Sequence, residues 1–143
     1  MYKKIITPRI GETDGLRYIN NTAIADWFEV ARNPIFKIFN PELELTYKKW
    51  NLLMVHSDFN YLEHLYFGFD VEIRTYITKI EKTSITVYHE AWQNGLLCAN
   101  SSCILVYYDY IRQNSMEIPD DIQKHLQEHF ITKKELKKNE IDK

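Results

Sequence analysis

Asp14 is the side chain whose type and position best suit it for chemistry, because it lies in a polar segment just before a predicted helix. The ordinary pKa of an aspartate is about 3.9, so at neutral pH it is ionised and can take a proton or attack a carbonyl carbon. The start of a helix offers unpaired N–H groups and the positive end of its dipole, which stabilise an oxyanion. Asp14 also stands in a Thr-Asp-Gly sequence, where an aspartate commonly binds neighbouring backbone amides. Both a plain turn and a catalytic carboxylate fit this spacing.

The motifs of several other enzyme classes do not occur in the sequence. It contains no G-x-S-x-G elbow, no G-x-x-x-x-G-K-[ST] loop, no G-x-G-x-x-G fingerprint and no H-E-x-x-H. Among the five histidines, His125 and His129 are four residues apart on a predicted helix and could chelate a metal, although a surface pair is the simpler interpretation. We therefore predict no metal and no cofactor.

Composition narrows the class of protein and of partner. The 143 residues are 45% hydrophobic and 27% charged, which is typical of one compact domain with a buried core. Eighteen Lys and Arg residues against twenty Asp and Glu residues give a net charge of -2, whereas a nucleic-acid-binding protein normally has a basic stripe. No stretch approaches the roughly 20 apolar residues of a membrane span. We expect neither nucleic acid nor membrane as a partner.

The two cysteines indicate a reducing environment. Cys98 and Cys103 are five residues apart in one apolar run, and in a flat strand this spacing would point them to opposite faces. A disulfide between them is therefore not expected. Both are interpreted as small buried hydrophobic residues, and the protein is expected to be cytoplasmic.

One long helix is predicted near the start of the chain, after a peripheral strand over residues 3–10. Its apolar residues recur at intervals of three and four, which is the pattern of a helix with one buried face; they are Ile24, Trp27, Phe28, Ala31, Ile35 and Ile38. Pro34 cannot donate an intrahelical hydrogen bond, so the helix is expected to end near Arg32. Residues 34–39 are expected to form a separate turn.

The rest of the chain is rich in β-forming residues. We predict a strand over residues 52–62, then a three-stranded meander in which Asn94-Gly95 forms a hairpin turn. Pro119 begins a last short helix that carries Ile122, Leu126 and Phe130. Residues 133–143 are nearly all charged and are expected to fray. Because one helix can cover only one face of the sheet, we expect the sheet to curl around it. The uncovered edges predict pairing with a second copy.

The segment around Asp14 resembles a known family. Residues 13–32, TDGLRYINNTAIADWFEVAR, are similar to the pattern TD, two residues, GH, an aliphatic residue, NN, WFE and AR of the hotdog-fold acyl-CoA thioesterases of the 4-hydroxybenzoyl-CoA thioesterase type. The residues in register are Asp14, Asn20, Asn21, Trp27, Phe28, Glu29, Ala31 and Arg32. Residues 58–70, DFNYLEHLYFGFD, resemble the turn between the family's second and third strands. The resemblance extends over about residues 2–130.

The resemblance implies a fold, a reaction and partners. The fold would be α+β, a hotdog fold in which an antiparallel sheet wraps around one long helix over residues 1–131, followed by a charged tail over residues 132–143. The activity would be hydrolysis of an acyl thioester, with acyl-CoA or an acyl carrier protein as substrate and a homodimer or homotetramer as the assembly. A non-catalytic binder of the same thioesters is the alternative, and a scaffold without a ligand is a third possibility.

The resemblance also implies residue roles. Asp14 corresponds to the family's nucleophile or general base, and the amide of Asn21, or of a neighbour, to the donor that receives the thioester carbonyl oxygen. Where the family usually has Gly-His, this chain has Arg17-Tyr18. Tyr18 could donate a hydrogen bond to substrate or water, and Arg17 could hold a phosphate or Asp14, but a merely exposed pair fits equally well.

Three further residues of the segment are open to two interpretations. Asn20 could cap the helix, shape the substrate site, or do both. Trp27 is a core residue by its spacing, and it could also line an acyl tunnel. One branch of the family has its catalytic carboxylate on the long helix, where Glu29 lies, although a structural partnership with Arg32 or a neighbouring strand is the simpler interpretation.

Overall fold

A computed structural model describes residues 1–141. The helices are α1 (Asn21–Ala31), α2 (Asn33–Phe39), α3 (Asp120–Gln127) and α4 (Lys133–Ile141), with a short 3-10 helix over Ile10–Glu12. The strands are β1 (Tyr2–Ile6), β2 (Leu52–Tyr61), β3 (Val71–Ile80), β4 (Ser84–Gln93), β5 (Leu96–Asp109) and β6 (Asn114–Ser115). None of the helices within this described range is long and apolar enough to cross a membrane.

The strands form one antiparallel sheet in the order β1-β3-β4-β5-β2, and β6 pairs with β5. The predicted meander is confirmed as β3, β4 and β5, which pair consecutively. The predicted first strand is confirmed as an edge strand, since β1 pairs only with β3 along this order. It ends at Ile6 rather than near Ile10, which belongs to the 3-10 helix. The second strand of the chain, β2, crosses over to the opposite edge beside β5.

Helix α1 lies against the sheet through its apolar face. Its start is fixed by Asn20, whose side-chain oxygen accepts hydrogen bonds from the backbone N–H and the hydroxyl of Thr22, both at 3.0 Å. The buried residues of the helix are Ala23, Ile24, Trp27, Phe28 and Ala31. They share a core cluster with Val71, Ile73 and Ala91 of the sheet. The predicted long helix with one buried face is confirmed.

The segment expected to form a turn after the long helix is itself a helix. Helix α1 ends at Ala31, Arg32 caps it, and α2 follows directly over Asn33–Phe39. Pro34 lies in the first turn of α2, where a backbone N–H has no intrahelical acceptor, so proline is tolerated there. Ile35 and Phe39 of this helix are buried in a second core cluster. Proline thus separates two helices here rather than ending helical structure.

The C-terminal part of the chain also differs from expectation. Helix α3 is confirmed, but Phe130 lies beyond its end and forms a bridge with Ile77 of β3. The charged segment expected to fray forms α4 over Lys133–Ile141, and Leu136 of this helix is buried. Asp142 and Lys143, the end of the expected tail, lie outside the described residues.

The two cysteines are free and buried, as predicted, but β5 is not the flat strand that was expected between them. Both Cys98 and Cys103 are free and buried, and each belongs to a core cluster that contains helix residues. The pairing of β4 with β5 shifts register between Ala91 and Trp92, so Cys98 occupies a bulge. A bulge adds one residue and reverses the alternation of side chains along a strand. Burial raises the pKa of both thiols.

Candidate active site

Residues 13–19 form a loop that is held by a backbone hydrogen bond within it and by two more to residues 65–67. Within the loop, the N–H of Asp14 donates to the carbonyl of Tyr18 at 3.0 Å. On the other side, the N–H of Phe67 donates to the carbonyl of Arg17, and the N–H of Ile19 to the carbonyl of Leu65, both at 2.8 Å. These bonds lead the chain directly into the start of α1, so the position of Asp14 relative to the helix is set by backbone hydrogen bonds.

The carboxylate of Asp14 is exposed, and only one of its two oxygens accepts a hydrogen bond from the described residues. One oxygen, Oδ1, accepts a hydrogen bond from the N–H of Leu16 at 3.1 Å, which is the turn contact expected of an Asx turn. The other oxygen accepts no hydrogen bond from any side chain or amide that the structure describes. The turn interpretation is therefore confirmed, and it leaves one oxygen free for a substrate or a water molecule.

The helix start beside this loop carries a free donor. Asn21 is the first residue of α1, and its backbone N–H has no acceptor in the part of the chain that the structure describes. Asn21 lines a cavity of about 340 Å³, called here the Asn21 cavity, whose other lining residues include Ile24, Tyr61 and His64. Asp14 is not among the residues that line this cavity.

The side chains of Arg17 and Tyr18 have different surroundings. Arg17 has φ 74°, in the left-handed region that favours glycine, and its side chain is exposed. It forms no ion pair with Asp14 within 4 Å. The ring of Tyr18 stacks on the imidazole of His64, with centroids 4.2 Å apart, and lies 5.3 Å from the ring of Tyr66. The aromatic cluster of Tyr18, His64 and Tyr66 was not foreseen, although residues 58–70 were already part of the resemblance.

Asn20 and Trp27 serve the scaffold of the site. Asn20 caps α1, as described above. Trp27 is buried, and its Nε1–H donates to Oε2 of Glu12 at 2.7 Å. Partial burial disfavours the charge on Glu12, but hydrogen bonds from Arg9 and Trp27 outweigh it and lower the pKa of that carboxyl. Trp27 therefore ties the chain before the loop to the helix after it.

The opposite end of α1 contains a buried polar group of three residues. Nη1 of Arg32 lies 3.3 Å from Nε2 of His89, and Nδ1 of His89 lies 2.9 Å from the hydroxyl of Thr75. Arginine can only donate, so Nε2 accepts and the proton of the neutral imidazole lies on Nδ1. Burial, reinforced by the nearby charge of Arg32, holds the pKa of His89 well below its usual value.

Glu29 does not neutralise this arginine. Its side chain is exposed, and no ion pair joins it to Arg32 within 4 Å, so the expected structural partnership between them is not formed. Of the two histidines that could have held a metal, His129 has another contact. The ring of His129 stacks on Tyr2 with centroids 4.1 Å apart. Among the described residues there is no group of three or more His, Cys, Asp or Glu side chains arranged to hold a metal ion.

Comparison with known proteins gives a family model and several solved structures. The model of the thioesterase-like superfamily matches residues 8–126. The structure of a predicted thioesterase from Bacillus stearothermophilus is 39% identical, with a TM-score of 0.86, and the match covers 92% of this chain and 97% of that chain. No curated protein matches the sequence.

Two structures that contain coenzyme A have the same fold. A thioesterase from Thermus thermophilus complexed with coenzyme A and Zn is 18% identical, with a TM-score of 0.76 over 87% of this chain and 96% of that chain. A hypothetical protein from Staphylococcus aureus in complex with CoA is 14% identical, with a TM-score of 0.77 over 91% of this chain and 85% of that chain. The predicted α+β hotdog fold is confirmed.

Proposed function

We propose, because the chain belongs to the thioesterase-like superfamily, that it hydrolyses an acyl thioester to a carboxylic acid and a thiol. The observation that carries this proposal is the match over residues 8–126, which contain both Asp14 and the start of α1. The resemblance read from the sequence is confirmed at the level of the superfamily, and its 4-hydroxybenzoyl-CoA thioesterase type stays a prediction.

Asp14 is our candidate for the general base or nucleophile, and the amide of Asn21 for the oxyanion donor. As a base, the free oxygen of Asp14 takes a proton from water while the water oxygen bonds to the thioester carbon. The C–S bond then breaks, and the proton held by Asp14 passes to the departing sulfur, which leaves as the thiol. The carbonyl oxygen would receive the N–H of Asn21 while it carries negative charge. General-base catalysis contributes about 10²–10⁴-fold, and one oxyanion donor about 2.7–4 kcal/mol.

We assign substrate contacts to the exposed surface of the loop. Arg17 is free to meet a phosphate, and the ring of Tyr18, stacked on His64, offers a flat surface beside the Asn21 cavity. Asn20 and Trp27 would support binding indirectly, through the helix cap and the bond to Glu12.

The proposed substrate is an acyl-CoA, since two similar structures contain coenzyme A; an acyl carrier protein is the variant. The proposed assembly is a homodimer or homotetramer, with residues 1–131 as the thioesterase domain and residues 132–143 as an appended segment. Support comes from β2, an edge strand with the exposed apolar side chains Met54, Val55 and Tyr61. Pairing of two such edges would cover this apolar surface.

Binding without hydrolysis is the second candidate function. It is favoured by the position of Asp14, which is exposed and does not line the Asn21 cavity of a single chain. This candidate predicts that acyl-CoA binds, as measured by calorimetry, while no thiol is released.

The test compares the wild-type protein with Asp14→Asn on a panel of short, medium, long and aromatic acyl-CoAs. Asparagine keeps the Oδ1 acceptor for the N–H of Leu16, so the loop should retain its conformation. We expect kcat to fall by about 10² or more with little change in binding. Asp26→Asn removes a carboxylate from the nearby helix α1 and should leave kcat unchanged. Undiminished turnover of Asp14→Asn would contradict the proposal.

A further inference from the structure

A second cavity, of about 520 Å³, lies at the C-terminal end of α1. Its volume is within the range of small-molecule sites in proteins. The cavity, called here the Arg32 cavity, has mostly apolar walls formed by Phe36, Leu43, Leu45, Leu52, Met54 and Leu105. Two charged residues also line it, Arg32 and Glu29.

Arg32 is a buried cation without a counter-ion. Its residue is 7% exposed, its Nη1 donates to a neutral imidazole, and its Nε is buried without any hydrogen-bond partner. No carboxylate lies within 4 Å of its guanidinium among the side chains that the structure describes. A charge removed from water is strongly disfavoured unless an opposite charge or a full set of hydrogen bonds compensates it. The ring of Phe36 has its centroid 6.0 Å from Cζ of Arg32, but neither this ring nor the imidazole of His89 carries a negative charge. An anion in the cavity would supply one.

We propose that the Arg32 cavity binds an apolar carboxylate, with the carboxylate group on Arg32 and the hydrocarbon chain along the apolar walls. A planar guanidinium matches the two oxygens of a carboxylate. The apolar walls favour a hydrocarbon chain over a hydrated anion such as inorganic phosphate. Glu29 also lines the cavity, so its negative charge repels every anion there, and it repels ligands of higher charge most strongly.

Such a carboxylate has two chemical sources. It could be a free carboxylic acid, or it could be the distal carboxylate of a dicarboxylic acyl group whose other end is the thioester. The second source rests on the proposed thioester hydrolysis, whereas binding of a free acid can be measured whether or not the protein hydrolyses anything.

The first experiment measures binding of octanoate and of 1-octanol by calorimetry and by the shift in melting temperature. We expect octanoate to bind at least about tenfold more tightly than 1-octanol, because only octanoate meets the charge of Arg32. Arg32→Met should remove this preference while keeping similar volume. Equal affinity for the two ligands in the wild-type protein, or an unchanged preference in Arg32→Met, would overturn the proposal.

A second pair of variants keeps Arg32 intact in case its replacement prevents folding. Leu45 lines the cavity and is 81% exposed, whereas Tyr47 is 79% exposed on the same segment and is not among the lining residues. Leu45→Glu should weaken octanoate binding several-fold by repulsion at the cavity mouth, and Tyr47→Glu should not. Equal effects of the two substitutions on octanoate affinity would contradict a site in this cavity.

Turnover distinguishes the two sources. If the distal carboxylate is the ligand, hexadecanedioyl-CoA, whose acyl group can span the roughly 16 Å between the two ends of α1, should be cleaved with a higher kcat/KM than hexadecanoyl-CoA. Leu45→Glu should abolish this difference. If a free acid is the ligand, octanoate should bind while hexadecanedioyl-CoA has no advantage. Binding of octanoate without cleavage of either ester would support the cavity site and contradict the proposed function. Cleavage without any octanoate binding would support the proposed function and contradict the cavity site.

Discussion

The two ends of helix α1 differ in how they carry polar groups. At the N-terminal end, Asp14 and the amide of Asn21 are exposed or face a cavity, and backbone hydrogen bonds of the loop fix their positions. At the C-terminal end, Arg32 and His89 are buried among apolar side chains and depend on each other. Substitutions at the first end should therefore change turnover with little loss of stability, and substitutions near the second should change stability first.

Phe28→Ala should produce the largest loss of stability. Phe28 is fully buried, and its ring stacks on His89 with centroids 5.0 Å apart. Removing the ring leaves a cavity beside the Arg32–His89 pair, for a cost of about 3–5 kcal/mol in the free energy of unfolding. Leu16→Ala, in the exposed loop at the other end, should cost less than about 0.5 kcal/mol. Similar losses in the free energy of unfolding of both variants, measured with urea, would contradict the proposed difference between the two ends of α1.

Acid should destabilise the protein through the buried end of α1. The pKa of His89 in the folded protein lies well below the ordinary value of 6.5, so the unfolded chain takes up this proton first as the pH falls. The stability that depends on the neutral imidazole is full above about pH 6.5 and decreases as the pH falls below it. His89→Gln should flatten this dependence. A wild-type unfolding free energy that stays constant from about pH 7 to about pH 5 would show that His89 is not held neutral.

Substitutions in the loop should have the smallest effect on stability. Arg17 and Gly15 both have positive φ, 74° and 95°. Arg17→Gly relieves a left-handed conformation but makes the unfolded chain more flexible, so stability should be unchanged or raised by up to about 1 kcal/mol. Gly15→Ala should lower it by about 1–2 kcal/mol, even though no atom lies within 4 Å of the added Cβ. A lower melting temperature for Arg17→Gly together with a higher one for Gly15→Ala would contradict the positive φ values of these two residues.

The parts of the fold that follow from local sequence were predicted. The three- and four-residue spacing of apolar residues identified α1, and Asn94-Gly95 identified the hairpin between β4 and β5. Two errors have local physical causes that the pattern does not reveal. Pro34 could equally end one helix or begin another, and the bulge at Cys98 depends on pairing with a neighbouring strand.

In the candidate site, too, features set by local sequence could be predicted, whereas contacts between distant segments could not. Asp14 lies seven residues before the first residue of α1, so its place in the loop that leads into this helix could be predicted. The stacking of Tyr18 on His64 and the contact of Arg32 with His89 join residues 46 and 57 positions apart, and such contacts depend on how the sheet brings distant segments together. The uncompensated charge of Arg32 therefore becomes visible only in the folded chain.

The crystal structure of the Asp14→Asn variant with an acyl-CoA bound tests the central claim most directly. The account predicts that the thioester carbonyl oxygen lies about 2.7–3.1 Å from the backbone nitrogen of Asn21, with the side chain at position 14 next to the thioester carbon. A thioester bound away from the start of α1, with the N–H of Asn21 pointing to water, would contradict it.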